Sequence, residues 1–256
     1  MSEPSPRPAK APLRWYQYRL RTFLVFLALC AVWLGMISRR ARQQRTAVEK
    51  IKALGGTVVY DYAKARGGRW NEFDPKNSAA GPAWLRSFIG EDYFQTVVQV
   101  NLSKVKVSDD DLAILENLPD VESVDLSGTE ISNDGLVHVE GMRKLKGLFL
   151  WKTLIDDRGL AHLRNLTDLR LLILDGTTVT DAGMENLQGL TNLEDWLGLT
   201  DTQMSDEGLK YFKGFKKLKE INLLRTKVTE HGAEELKSSL PNLRISYSQD
   251  GKDRTL

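Results

Sequence analysis

The residues of this 256-residue chain that invite chemistry are three histidines, two runs of aspartate, one cysteine and the glycine pair Gly55-Gly56. His138 and His162 stand 24 residues apart at one repeat position, with His231 further on. Neighbouring helices lie about 10 Å apart, so these two imidazoles without a third ligand make a poor zinc pair. Asp109-Asp110-Asp111 and Asp156-Asp157 suggest calcium, but no D-x-[DN]-x-[DN]-G loop with a distant Glu accompanies them. They fall where helices should begin, and carboxylates there cap amides and meet the helix dipole. A hydrolase needs a nucleophile with a base, or paired carboxylates in a pocket. The serines fall mostly on turn and cap positions, and no G-x-S-x-G occurs. Gly55-Gly56 is no phosphate loop, and Cys30 alone forms neither a disulfide nor a cysteine zinc site. The chain is expected to be no enzyme and to need no metal or cofactor.

Charge divides the chain sharply. Residues 1–52 hold eleven Lys or Arg against Glu3 and Glu49, a net of +9, while the whole chain carries +2. The remainder is therefore acidic, at about −7, which repels phosphate backbones and argues against nucleic-acid binding. Residues 20–38 include the uncharged run TFLVFLALCAVWLGMIS from Thr22 to Ser38. At about 1.5 Å per residue this helix falls slightly short of a hydrocarbon core of about 30 Å. Arg19, Arg21, Arg39 and Arg40 snorkel to make up the difference, and Trp15, Tyr16 and Tyr18 suit an interfacial belt. A cleaved signal sequence is the competing reading. No small-x-small site follows, so residues 20–38 read as an uncleaved single-pass helix behind a basic tail, residues 1–19. Basic residues flank both ends almost equally; resistance of the tail to translocation favours repeats outside the cytoplasm.

Residues 39–81 read as a juxtamembrane helix ended by Gly55-Gly56, a short strand over Thr57–Ala63, and a loop. Residues 82–96, with apolar residues at near-helical spacing over Pro82–Phe94, are expected to cap the open edge of the segment that begins at Val97.

Residues 97–249 repeat, and a tail of residues 250–256 comes after them. Units begin at Val97, Val121, Leu145, Leu169, Leu193 and Leu218, and a partial one at Leu243. Four are 24 residues long and two are 25, with extra residues near Asp195-Trp196 and Ser238-Ser239. The shared pattern is LxxLxLxxTxITDxGLxxLxxLxx. LxxLxL sends three apolar side chains inward from a short strand. Thr129, Thr153, Thr177, Thr202 and Thr226 follow in the turn, where a hydroxyl serves unpaired backbone. Ser132, Asp156, Thr180, Ser205 and Thr229 stand at helix N-caps, and GLxxLxxL supplies an apolar helical face.

This pattern resembles the leucine-rich repeat family, and its TDxGL-type consensus is similar to the subclass found in F-box ubiquitin-ligase receptors and many bacterial proteins. The whole layout, from basic tail through single span, Arg-rich stub and GGTVVYDY to repeats, looks like bacterial membrane-anchored repeat proteins. The resemblance implies an α/β solenoid, a curved parallel sheet with convex helices, preceded by one transmembrane helix in the bacterial cytoplasmic membrane. It also implies protein recognition on the concave sheet. A ligase-type substrate receptor would need an adaptor-binding segment, and no F-box-like helical segment precedes the repeats.

Alternation along a strand sends the second, third, fifth, seventh and eighth positions of each unit outward. Val98, Gln99, Asn101, Ser103 and Lys104 are then the outward set of the first unit, and Glu122, Ser123, Asp125, Ser127 and Gly128 that of the second. The third and fourth units break this polar habit with Phe149, Trp151, Leu171 and Ile173. Trp196 and Leu224 extend the apolar group, although the extra residue leaves the facing of Trp196 open. Lys146, Lys152 and Arg170 rim one part and Asp175, Asp195 and Asp201 another. An aromatic centre with a charged rim is what a protein-binding hot spot requires. The expected partner is a protein, with self-association at the membrane as the alternative.

Overall fold

A computed structural model describes residues 15–63, 82–90, 93–249 and 251–256. The expected loop of residues 66–81 and most of the basic tail lie outside these. The chain divides into two compact units, Met1–Ala41 and Arg42–Leu256.

Helix α1 spans Trp15–Ala53, so the apolar span and the juxtamembrane helix are one element. No proline or glycine interrupts it after Gly35, and Gly55, at φ 96°, stops it. Over Thr22–Ala53 it is long and apolar enough to cross a membrane, with a window of mean hydropathy 1.9 and nothing of that window buried. A signal sequence has the same character.

The second unit is built on one nine-stranded sheet whose spatial order is its sequence order. Strand β1 (Thr57–Tyr60) pairs antiparallel with β2 (Val97–Asn101). Then β2, β3 (Ser123–Asp125), β4 (Gly147–Phe149), β5 (Leu171–Ile173), β6 (Trp196–Gly198), β7 (Glu220–Leu223) and β8 (Arg244–Gln249) pair in parallel. Strand β9 (Lys252–Thr255) closes the far edge antiparallel to β8. One strand per repeat, each stacked on the last, is a leucine-rich-repeat solenoid.

Its core is the ladder of framework positions. Leu145, Leu148 and Leu150 of the third unit, and Leu169, Leu172 and Leu174 of the fourth, are all fully buried. The hydroxyls of Thr129, Thr153, Thr177, Thr202 and Thr226 each donate to the leucine carbonyl three residues earlier, at 2.6–2.8 Å. The eighth position of every complete repeat has positive φ: Lys104, Gly128, Lys152, Gly176, Asp201 and Arg225. In the first five repeats its N–H continues the ladder to the next unit, as Lys152 does to the Asp175 carbonyl at 2.9 Å. In the sixth the Arg225 N–H meets the Ser248 hydroxyl instead.

The opposite flank is expected to be helical, and most of it is 3₁₀, as over Asp109–Asn117, Asp181–Leu187 and Asp206–Phe212. The reason is the spacing. Buried residues fall every third position, as with Leu209, Phe212, Phe215 and Leu218, and a 3₁₀ helix with three residues per turn aligns them on one face. The last repeat widens one step, with Ala233, Leu236, Leu240 and Leu243 buried, and there Glu230–Ser239 forms a regular α-helix. The extra residue near Ser238-Ser239 is taken up by that change of winding.

The TDxG part of the repeat makes a clamp between units. Asp181 accepts the Ser205 amide at 2.8 Å and the Ser205 hydroxyl at 2.6 Å. Asp109 holds Ser132, Asp157 holds Thr180 and Asp206 holds Thr229 in the same way. Asn133 plays this part toward Asp156. The glycine three residues after each cap makes room for the reaching side chain: a Cβ on Gly208 would stand 2.5 Å from Asp181 Oδ1. The caps themselves form as expected at Asp156, Thr180, Ser205 and Thr229.

The first repeat is covered differently from the expectation. Ala47, Val48 and Ile51 of α1 join the core, and Gln44 fastens this turn by donating to the Gln95 carbonyl at 2.9 Å and accepting the Val97 amide at 3.1 Å. The segment expected to be the cap instead forms helix α2, Ala83–Ile89, with Trp84 and Phe88 turned to its surroundings. A long helix with an Ala-Val-Ile stripe covers the core edge better than seven residues can. The boundary drawn after residue 38 therefore cuts α1, and the solenoid unit includes its last turns.

Candidate partner-binding surface

Strand pairing decides which outward side chains meet. One column runs Gln99, Ser123, Gly147, Leu171 and Trp196 across β2 to β6. The next runs Asn101, Asp125, Phe149, Ile173, Gly198 and Asn222. Phe149 thus lies directly beside Ile173, and Leu171 beside Trp196, at the strand spacing of about 4.8 Å. All four are half-buried, outside the leucine core. Trp151 follows Phe149 by two residues and is 37% exposed, with Lys152 Nζ 4.8 Å from its ring centroid. The structure brings Phe149, Trp151, Leu171, Ile173 and Trp196 onto one sheet face. Leu224 is half-buried on β7's exit.

The facing of Trp196 is settled by backbone bonds. Glu194 and Asp195 both donate to the Arg170 carbonyl, at 3.0 and 2.9 Å, as Arg170 and Leu171 do to Lys146. Yet Trp196 and not Asp195 pairs with Leu171, so the extra residue is absorbed between Asp195 and Trp196. Trp196 then takes the outward place opposite Leu171. Its indole nitrogen is buried and meets no acceptor among the described residues.

The charged rim is laced across repeats. Lys146 pairs with Glu122 at 3.0 Å, Arg170 with Glu194 at 3.5 Å, and Lys219 with Glu194 at 2.9 Å and Asp195 at 3.2 Å. Arg225 grips Asp201 with Nε at 2.6 Å and a second nitrogen at 2.8 Å, holding that carboxyl below the usual range. Asp175 behaves otherwise. It folds over Gly198, where a Cβ would lie 2.5 Å from its Oδ2, and accepts the Thr200 amide. Burial pushes its carboxyl up, the hydrogen bond from the Thr200 amide opposes that, and the charge of Asp201 adds to it.

The polar end of the face departs from expectation at two positions. Val98 and Ser123 are buried, at 4% and 7% exposure. Strand β1 makes β2 an interior strand, so the first unit presents no free edge. A hollow of about 250 Å³ remains there, between Val59, Gln99, Asn101, Ser123 and Asp125, with Phe149 as its far wall.

The other candidate chemistry resolves into structure. His138 Nδ1 lies 2.7 Å from Glu116 and His162 Nδ1 3.2 Å from Glu140, one repeat apart. These pairs were missed by reading position alone; the Glu of one unit and the His of the next, 22 residues on, are their signal. Asp111 closes a capping box with Ser108. Among the described residues no group of three or more His, Cys, Asp or Glu could hold a metal.

No protein-family model matches the chain, and no curated protein matches it. Among solved structures it is similar over 60% of its length to internalin C2 of Listeria monocytogenes, at 21% identity and TM-score 0.46, covering 74% of that chain. An internalin (inlF) of the same organism matches over 60%, at 19% identity and TM-score 0.38, covering 54% of that chain. The plant peptide hormone receptor RGFR1, solved in complex with RGF2, matches over 54%, at 18% identity and TM-score 0.35, covering 22% of that chain. The repeats themselves, rather than these likenesses, establish the fold.

Proposed function

We propose that this leucine-rich-repeat solenoid binds a protein partner through the sheet face of its third to fifth repeats, while α1 holds it in a bacterial cytoplasmic membrane. The observation that carries the reading is the in-register group Phe149, Ile173, Leu171 and Trp196, with Trp151 beside it, on a face otherwise polar. A whole aromatic side chain covers roughly 150–250 Å², and with these residues already half covered the open patch is on the order of 300 Å². Lys146, Arg170, Asp195 and Asp201 of its rim are already paired across repeats, so a partner docking over them leaves none of these charges buried alone. Lys146, Lys152, Arg170 and Asp175 would set register around the apolar centre, and Leu224 would extend it. No step of this reading needs catalysis or a cofactor.

A photo-crosslinker placed near Trp151, used in native membranes and followed by mass spectrometry, would identify the partner. The double change Phe149→Ser with Trp151→Ser should abolish capture while leaving thermal stability nearly intact. Equal capture by the double variant, or its unfolding, would overturn the assignment. A crosslink only to a second copy of the chain would replace a foreign partner by self-association.

A further inference from the structure

Helix α2 is the feature that the partner-binding reading leaves unused. Trp84 and Phe88 are 70% and 83% exposed, more than any large apolar side chain in the run of α1, where the highest is Leu29 at 64%. They are four residues apart on a helix and share one face. Two aromatics bury at most on the order of 500 Å², well below the roughly 800 Å² per partner of a stable protein interface. A lipid interface asks for no such area and no shape complementarity, only an apolar side with aromatic rings at headgroup depth.

Chain connectivity limits what this face can reach. Ser38, the end of the apolar run, is six residues before Gln44, and Gln44 is hydrogen-bonded to Gln95 and Val97. Gly90, which ends α2, is five residues before Gln95. Six helical residues, and five more even at the greatest reach a chain allows, span on the order of 30 Å at most. Arg39, Arg40 and Arg42 lie along the first part of this path and attract anionic headgroups.

We propose that α2 is a second membrane contact, its Trp84 and Phe88 entering the interfacial layer of a phospholipid bilayer that holds α1. The inference rests on α1 being embedded. Each would be read separately on the full chain, carrying Cys30→Ala, in vesicles of zwitterionic and anionic phospholipid. An environment-sensitive fluorophore is attached at Trp84→Cys, at Phe88→Cys, or at Leu154→Cys as the water-exposed reference. Probes at 84 and 88 should shift to the blue and be quenched several-fold more by spin-labelled lipid than the probe at 154. In the unlabelled chain, amide exchange over Ala83–Ile89 should slow in vesicles, and Trp84→Ser with Phe88→Ser should restore it. Quenching equal to that at 154, in chains that resist alkaline carbonate extraction, overturns the contact and leaves the anchor standing. Release of the chain by carbonate overturns both. A blue shift that depends on protein concentration and not on spin-labelled lipid assigns the face to a second copy, and also overturns the proposal.

Discussion

Strands β2 and β3 share their backbone plan with β4, β5 and β6, yet the two groups offer opposite surfaces. The first offers Gln99, Asn101, Asp125 and Ser127; the second offers Phe149, Trp151, Leu171, Ile173 and Trp196. Inward, both carry the same apolar ladder, buried alike. Because alternate strand residues point to opposite sides, a repeat can keep its framework and change its face at little energetic cost. Stability thus belongs to one set of columns, and the proposed recognition to the other.

That separation can be broken at measured sites. The largest effect is expected inside. Leu172→Ala should destabilise the chain by about 2–5 kcal/mol, the cost of emptying a fully buried leucine site, read as a lower midpoint in denaturant. A loss below about 1 kcal/mol would mean that the ladder is not the framework. Next comes the clamp. Asp181→Ala leaves the half-buried Ser205 amide and hydroxyl without their acceptor and should cost about 1–3 kcal/mol. Gly208→Ala should cost a similar amount, and combining the two should cost less than their sum, since the new methyl takes space the carboxylate vacates and only the flexible end of Met204 must still move aside. Full additivity would separate the glycine from the clamp.

A smaller effect tests the face itself. The raised Asp175 carboxyl binds its proton more tightly in the folded chain than in the unfolded one. Its contribution therefore opposes folding above the folded pKa and fades as pH falls through it. Asp175→Asn keeps an acceptor for the Thr200 amide and should raise Tm at pH 7, with the gain over the parent shrinking toward acid pH. A gain that is constant with pH would remove burial of the charge as its cause. Smallest of all, Phe149→Ser with Trp151→Ser should move Tm little, since both rings are only partly buried at the surface. A collapse of stability there would erase the distinction between the two groups of strands.

Some features that reading position by position missed were nonetheless present in the spacing. The step of three between Leu209, Phe212 and Phe215 favours 3₁₀ turns over an α-helix, and the step of four from Leu236 to Leu240 marks the repeat whose flank winds as a ten-residue α-helix. The Asp of TDxG is read locally as a cap. Its real partner is the cap of the next unit, 23 or 24 residues on, which only stacking brings within reach.

The sequence by itself determined the repeat, its inward columns and the outward place of Phe149, Trp151 and Ile173, because period and alternation are local properties of the chain. Tertiary structure alone decided the facing of Trp196, the folding of Asp175 over Gly198, and the replacement of the expected cap by the end of α1. Each depends on which unit absorbs an extra residue or which distant segment buries an open edge. Those are competitions between contacts far apart in sequence, settled by packing.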